Sequence, residues 1–116
     1  MQRKDTAKIL LIVALAFVFG VFGVGKFTSP IVWIGWMPLW MDGLLGLPKE
    51  TWLQLVGASE ILFAILLLIP IRSVRQIATI LIVLHLIGIL TQIGWNDIAV
   101  RDIGLLMSSL ALLFLL

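Results

Sequence analysis

Four stretches of this chain are almost wholly apolar, and polar residues gather between them. They run from about Ala7 to Phe27, Thr51 to Ile69, Val74 to Ile93 and Ile98 to Leu116. Each approaches the roughly 20 residues that an α-helix needs to cross a bilayer. In lipid every backbone N–H and C=O must be paired within the protein, which a helix does inside one segment. The pattern therefore predicts an all-α membrane protein. It is a single domain spanning 1–116, a bundle of four transmembrane helices with an interfacial segment between helices one and two.

That segment, residues 28 to 50, reads TSPIVWIGWMPLWMDGLLGLPKE. Pro30, Pro38 and Pro48 prevent one long helix. Trp33, Trp36 and Trp40 recur at spacings of three and four, and tryptophan favours the headgroup level. Two roles fit: a short helix or helix pair lying on the outer leaflet, or a lid over a ligand cavity between the helices.

Each predicted helix also carries a stripe of small or polar residues at helical spacing. The first has Ala16, Gly20, Gly23 and Lys26. The second has Gly57, Glu60 and Ala64. The third has Ala78, His85, Gly88 and Gln92. The fourth has Gly104, Ser108 and Ala111, with Asp102 and Ser109 beside them. Helices in lipid associate through close backbone approach and hydrogen bonds rather than the hydrophobic effect. The four stripes are expected to meet in the bundle centre.

Composition agrees with the membrane reading. Of 116 residues, 62% are hydrophobic and 12% charged, with mean hydropathy +1.22, against about 25% charged in a soluble domain. There is no cysteine, so disulfides, thiolate metal sites, iron–sulfur ligation and thiol redox chemistry are excluded for this chain alone. A single His cannot build a metal or haem site without outside ligands. Neither GxxxxGK[ST] nor GxGxxG occurs, and no basic patch is large enough for nucleic acid. A cleaved signal peptide is disfavoured, because the first apolar run exceeds the usual core of about 7 to 15 residues.

Charge sets orientation. Arg3, Lys4 and Lys8 precede the first helix, and Arg72 and Arg75 lie between the second and third. Four crossings bring both groups to one side, so both termini are expected on the cytoplasmic side. On the opposite side, Lys26, Gln92, Arg101 and Asp102 should share one level, with Lys26–Asp102 as the expected ion pair.

Glu60 is the residue that chemistry must explain. It lies halfway along its helix, as His85 does along the next. A charge at the bilayer midplane costs about 2.5 to 3.5 kcal/mol on insertion scales, so Glu60 must face inward and find a partner. A Glu60–His85 hydrogen bond fits two antiparallel neighbours. Burial favours the neutral acid, and a cation nearby favours the carboxylate. One reading makes Glu60 interhelical glue; the other makes it a ligand or proton site. For Lys26 and Arg101 the plain alternative is snorkelling to the headgroups. For Asp102 it is a helix N-terminal carboxylate facing the macrodipole. Collected, the candidate ligand-binding residues are Glu60, His85, Lys26, Gln92, Arg101, Asp102, Trp33, Trp36 and Trp40. No catalytic or metal-ligating set is identified.

In order, the chain shows VFGVGKF, a Pro/Trp-rich outer segment, GASE at Gly57 to Glu60, a basic inner loop with Arg72, and RDIGLL at Arg101 to Leu106. In that order and spacing it resembles the DoxX/DoxD-like family of small four-helix bacterial and archaeal membrane proteins, which implies a multi-pass protein of a bacterial or archaeal cytoplasmic membrane. Lys26, Gly57, Glu60, Arg101 and Asp102 match by position. The tryptophans match in kind, and His85 falls outside the motifs. The namesake members are subunits of a membrane thiosulfate:quinone oxidoreductase, and others accompany membrane redox or oxidative-stress complexes. The resemblance implies a non-catalytic membrane subunit or anchor of a quinone-linked complex, rather than a stand-alone enzyme. It implies a redox partner subunit and a quinone or lipid-like ligand, with no covalent cofactor. A small-solute or proton transporter acting as a homo-oligomer is the competing expectation, and a structural assembly factor a third.

Overall fold

In the computed structural model, which describes residues 2–116, the chain is an all-α bundle. Four long helices, α1 (Arg3–Thr28), α3 (Lys49–Leu68), α4 (Arg72–Ile93) and α5 (Asp97–Leu115), are each long and apolar enough to cross a membrane. A short helix, α2 (Pro30–Ile34), follows α1, and two 3-10 turns, Leu39–Met41 and Leu44–Gly46, complete the segment before α3. The longest dimension is 49 Å. That matches one bilayer with its headgroup layers, about 40 to 45 Å. The expected spans are met within a few residues. α1 starts earlier than expected because Asp5 Oδ2 accepts the Gln2 N–H and closes its first turn.

Neighbours in sequence are neighbours in space. α1 packs on α3, α3 on α4, α4 on α5, and α5 returns to α1. This is the up-down-up-down arrangement that short connections impose. The α3–α4 turn is held by Arg75, whose Nε donates to the Leu67 carbonyl at 2.9 Å, satisfying one of the orphan acceptors at the end of α3. Between α4 and α5, Gly94 takes φ +73°, and the Asn96 side chain accepts the Ala99 N–H at 3.0 Å. Both termini lie at the end of the bundle that carries this α3–α4 turn: the Arg72 Nε donates to the Leu116 carbonyl there. We call it the terminal end, and the opposite one the loop end.

The dry core occupies the terminal half and centre: Ile12, Leu15, Phe19, Leu67, Ile82 and Leu112. Buried hydroxyls in this region need no cross-helix partner. Thr79 Oγ1 donates to the Arg75 carbonyl and Ser109 Oγ to the Leu105 carbonyl, each one turn back in its own helix. Outward positions, such as Val13, Phe17, Leu62 and Ile65, are apolar and exposed, as helices bathed in acyl chains require.

The stripe expectation holds for α1 and α3 and fails for α5. Ala16, Gly23, Lys26, Gly57, Glu60 and Ala64 are buried. On α5 the buried face is Ala99, Asp102, Ser109 and Leu112, while Gly104 and Ala111 are exposed. Asp102 and Ser109 are seven residues apart, hence on one face. A buried carboxylate fixes which face turns inward more strongly than a run of small residues does. On α4, Ala78 is buried, but Gly88 has no neighbour within 4 Å of an added Cβ and Gln92 is exposed.

α1 and α3 make the closest approach. A Cβ on Gly23 would lie 2.7 Å from the Gly57 carbonyl oxygen, and one on Gly57 would lie 2.9 Å from that of Gly23. Neither carbonyl can move without moving its helix. Gly23→Ala and Gly57→Ala should therefore each destabilise the bundle, on the order of 1 to 3 kcal/mol. Gly88→Ala, with nothing within 4 Å of the added methyl, should not. Thermal unfolding of the detergent-solubilised protein distinguishes these outcomes.

Candidate functional site

Cβ vectors in a helix lean toward its N-terminus. α1 climbs toward the loop end, so the Lys26 side chain leans back into the bundle. α3 descends from the loop end, so Glu60 leans up to meet it. Lys26 Nζ reaches Glu60 Oε1 at 2.5 Å, with both side chains almost fully buried. This corrects the expected Lys26–Asp102 pair, and Lys26 does not snorkel. Asp102 instead pairs with Arg101, whose Nη2 lies 3.0 Å from Oδ1 and whose Nε donates to the same oxygen at 3.1 Å. Nor is Asp102 an N-terminal carboxylate. α5 starts at Asp97, which puts Asp102 beyond the first turn, and it is buried.

His85 completes the deep site. Its Nε2 lies 3.4 Å from Glu60 Oε2 and makes no hydrogen bond within the protein. The expected Glu60–His85 hydrogen bond is thus a contact at longer range than a well-formed bond of about 2.9 Å. Glu60 Oε1 likewise has no aligned hydrogen bond and is met by the Lys26 ammonium as a charge. The His85 ring is wedged edge-on against Phe19 and Phe63, at centroid separations of 6.0 and 5.6 Å. These two phenylalanines, T-shaped against each other, form a rigid apolar floor below the polar groups.

Two cations flank one aromatic ring nearer the loop end. The Arg101 guanidinium sits 4.4 Å from the Phe22 centroid and Lys26 Nζ 5.9 Å from it; Lys26 is also 4.2 Å from the Trp33 ring. Contacts of this kind contribute from about 0.5 to 2 kcal/mol, more where water is excluded. They help to hold a lysine that has left the headgroup layer. Position in the last turn of α1 helps too, because the helix C-terminus favours positive charge.

Above these groups lies a cavity of about 450 Å³. All nine residues singled out from the sequence line it: Lys26, Glu60, His85, Gln92, Arg101, Asp102, Trp33, Trp36 and Trp40. Sequence reasoning missed Phe19, Phe22, Met37 and Met41, which also line it. Phenylalanine and methionine are the ordinary content of an apolar run, so nothing marked these four. The outer segment contains the short helix α2, and its Trp33, Trp36 and Trp40 cover the cavity. It is fastened at three points. Trp52 Nε1 donates to the Leu44 carbonyl, the Lys49 N–H donates to Asp42 Oδ1, and Trp40 Nε1 donates to Gln92 Oε1 at 2.9 Å. Gly25 leaves room for the Trp33 ring, since a Cβ there would lie 3.1 Å from its Nε1.

No family model, curated protein or solved structure matches this chain.

Chemically, the cavity offers flat aromatic walls and a polar floor. That floor holds a buried ion pair and an imidazole nitrogen with unused hydrogen-bonding capacity. Removing one charge of a buried pair strands the other, at about 3 to 5 kcal/mol. Lys26→Met should therefore destabilise the bundle strongly, and Lys26→Met combined with Glu60→Leu should recover much of the loss. A double-mutant cycle on thermal unfolding measures the coupling. Additive effects would mean that the pair is not a unit.

Proposed function

We propose that this chain is the membrane subunit of a quinone-linked redox assembly, and that its cavity binds the quinone. One observation carries the reading. His85 lines a 450 Å³ cavity whose roof is tryptophan, and its Nε2 is buried without a hydrogen bond. Buried polar atoms in proteins are nearly always satisfied, so an unsatisfied one on a cavity-lining residue is a place for a ligand atom to be met. A cavity of this size suits a small-molecule ligand. The surrounding rings suit a flat aromatic body, and the position within the bundle suits a ligand dissolved in the bilayer.

In this reading a quinone carbonyl or hydroxyl lies against His85 Nε2 and the ring lies among Phe22, Trp33 and Trp36. Reduction of a quinone consumes two electrons and two protons. The chain has no cysteine and one His, so the electrons come from a partner subunit. The contribution of this chain is to hold the ligand, exclude water and supply hydrogen-bonding and proton-holding groups at His85 and Glu60. Lys26 offsets the Glu60 charge while the site is empty. The terminal end, with Arg3, Lys4, Lys8, Arg72 and Arg75, faces the cytoplasm under the same proposal, and the roof faces the other side. The DoxX-like order of motifs agrees with this role, since Lys26, Glu60, Arg101 and Asp102 of that pattern all line the cavity.

Quinones quench tryptophan fluorescence, and three of the five tryptophans line the cavity. Titration of a short-chain ubiquinone into the purified protein should give saturable quenching. Glu60→Gln and His85→Leu should each weaken binding about tenfold, equivalent to about 1.4 kcal/mol, near the net worth of one hydrogen bond. Trp95→Phe, outside the cavity, should leave the affinity unchanged. Unaltered affinity in both cavity variants would refute the assignment. Solute or proton uptake into liposomes by a protein that does not bind quinone would replace it with a carrier.

A further inference from the structure

The terminal end carries a second cleft, independent of the cavity. Lys4 and Lys8 from α1 and Arg72 and Arg75 from α4 converge on it, beside Pro70 and Leu115. Four cations thus share one recess, yet among the described residues none of them pairs with an Asp or Glu side chain, and Arg72 meets only the main-chain oxygen of Leu116. The one acid there, Asp5, accepts the Gln2 N–H and is committed to the start of α1. Both arginines are fixed through Nε by backbone carbonyls, Arg75 to Leu67 at 2.9 Å and Arg72 to Leu116 at 2.6 Å. That leaves the Nη groups of each, the fork that binds phosphate in bidentate fashion, without a hydrogen-bond partner among the described residues. Lys4 and Lys8 are one turn apart on α1 and therefore face the same way.

Like charges brought together without counter-charge repel, and a phosphate would relieve that repulsion. The apolar residues beside the cations indicate which phosphate. Pro70, Leu115 and Leu116 line the same cleft, and at this end of the bundle Leu68, Ile71 and Phe114 are exposed and form an apolar flank. A cationic recess with apolar side chains beside it, at the end of a bundle long enough to cross a bilayer, has the polarity profile of a phospholipid. We propose that this cleft is a binding site for an anionic phospholipid, with its phosphate held by Lys4, Lys8, Arg72 and Arg75 and its acyl chains along that flank. The lipid ties the start of α1 to the start of α4, whose basic residues line the cleft together. It lies at the opposite end of the bundle from the tryptophan roof, so the site does not depend on the function of the cavity.

The test is native mass spectrometry of the detergent-purified protein, titrated with phosphatidylglycerol or with phosphatidylcholine of matched acyl chains. The wild-type protein should bind phosphatidylglycerol about fivefold tighter or more, as expected for several basic groups acting together at a membrane surface. Lys4→Gln with Lys8→Gln, and separately Arg72→Gln with Arg75→Gln, should abolish most of that preference. The arginine pair also holds the α3–α4 turn and would be unreadable if the turn loosened. The lysine pair makes no hydrogen bond recorded in the structure and keeps the test decisive. Lys49→Gln, at the loop end, should leave the preference intact. Equal affinity for the two lipids, a preference that survives the lysine variant, or one that Lys49→Gln removes equally would each overturn the proposal. So would inorganic phosphate raising the unfolding temperature as much as phosphatidylglycerol does, since the site would then recognise an anion and not a lipid.

Discussion

A lysine and a glutamate buried against each other between α1 and α3 constrain everything above them. Either charge alone would be expelled from the hydrocarbon or neutralised. Together they persist because the two backbones approach closely enough for Lys26 Nζ to reach Glu60 from one turn away. Gly23 and Gly57 permit that approach, each lying where a methyl group would strike the other's carbonyl oxygen. The glycines and the charges are thus one device. Gly23 is three residues before Lys26 and Gly57 three before Glu60, so the same helix faces carry the close contact and the ion pair.

With α1 and α3 clamped in this way, the rest of the loop half has little left to pack against. α3 and α4 share a short turn at the terminal end but meet less extensively than α1 and α3 do. Gly88 and Gln92 on α4 border the cavity instead of a neighbouring helix. The terminal half follows a different rule: Leu15, Leu67, Ile82 and Leu112 fill it without a charged group. Phe19, Phe63 and His85 form the boundary between the two halves. Their edge-to-face contacts close the dry core from below and present the imidazole to the open side. A cavity here is the consequence of placing polar groups where apolar packing would otherwise continue.

Much of this was legible in the chain. Spans of about 20 apolar residues fix four helices because bilayer thickness leaves few alternatives. The gathering of Lys26, Glu60, His85 and the three tryptophans was legible too, because charge and tryptophan are rare enough in such a chain to mark positions. The pairing of the charges was not. Spacing puts Lys26, Arg101 and Asp102 at one level, but which acid a lysine meets depends on the direction its side chain leans and on how closely two backbones approach. Asp102 shows the same limit. It stays with its sequence neighbour Arg101, and the guanidinium spreads over Phe22, a residue that no pattern distinguished from other apolar residues. The orientation of α5 was misjudged because small residues and polar residues pointed to different faces, and burial of a carboxylate outweighs close packing of a glycine.

The two ends of the bundle are also chemically unlike, and that follows from the same economy of charge. All five tryptophans lie at the loop end, in the outer segment, at the start of α3 or in the α4–α5 turn. The loop end's Lys26 and Arg101 are each matched to an acid. Five of the eight basic residues lie at the terminal end with Asp5 as the one acid, and none of the five pairs with an Asp or Glu side chain among the described residues. A protein this small, with so few charges, therefore uses them in two distinct ways. At one end Lys26, Glu60, Arg101 and Asp102 are paired and drawn into the bundle, where they line a cavity under an aromatic roof. At the other they are left unpaired at the surface, where the counter-charge must come from outside the chain. Tryptophan at one end and basic residues at the other are the residue types that set the depth of a helix bundle in a bilayer, so the division of charge that builds the cavity also gives the bundle its two unlike ends.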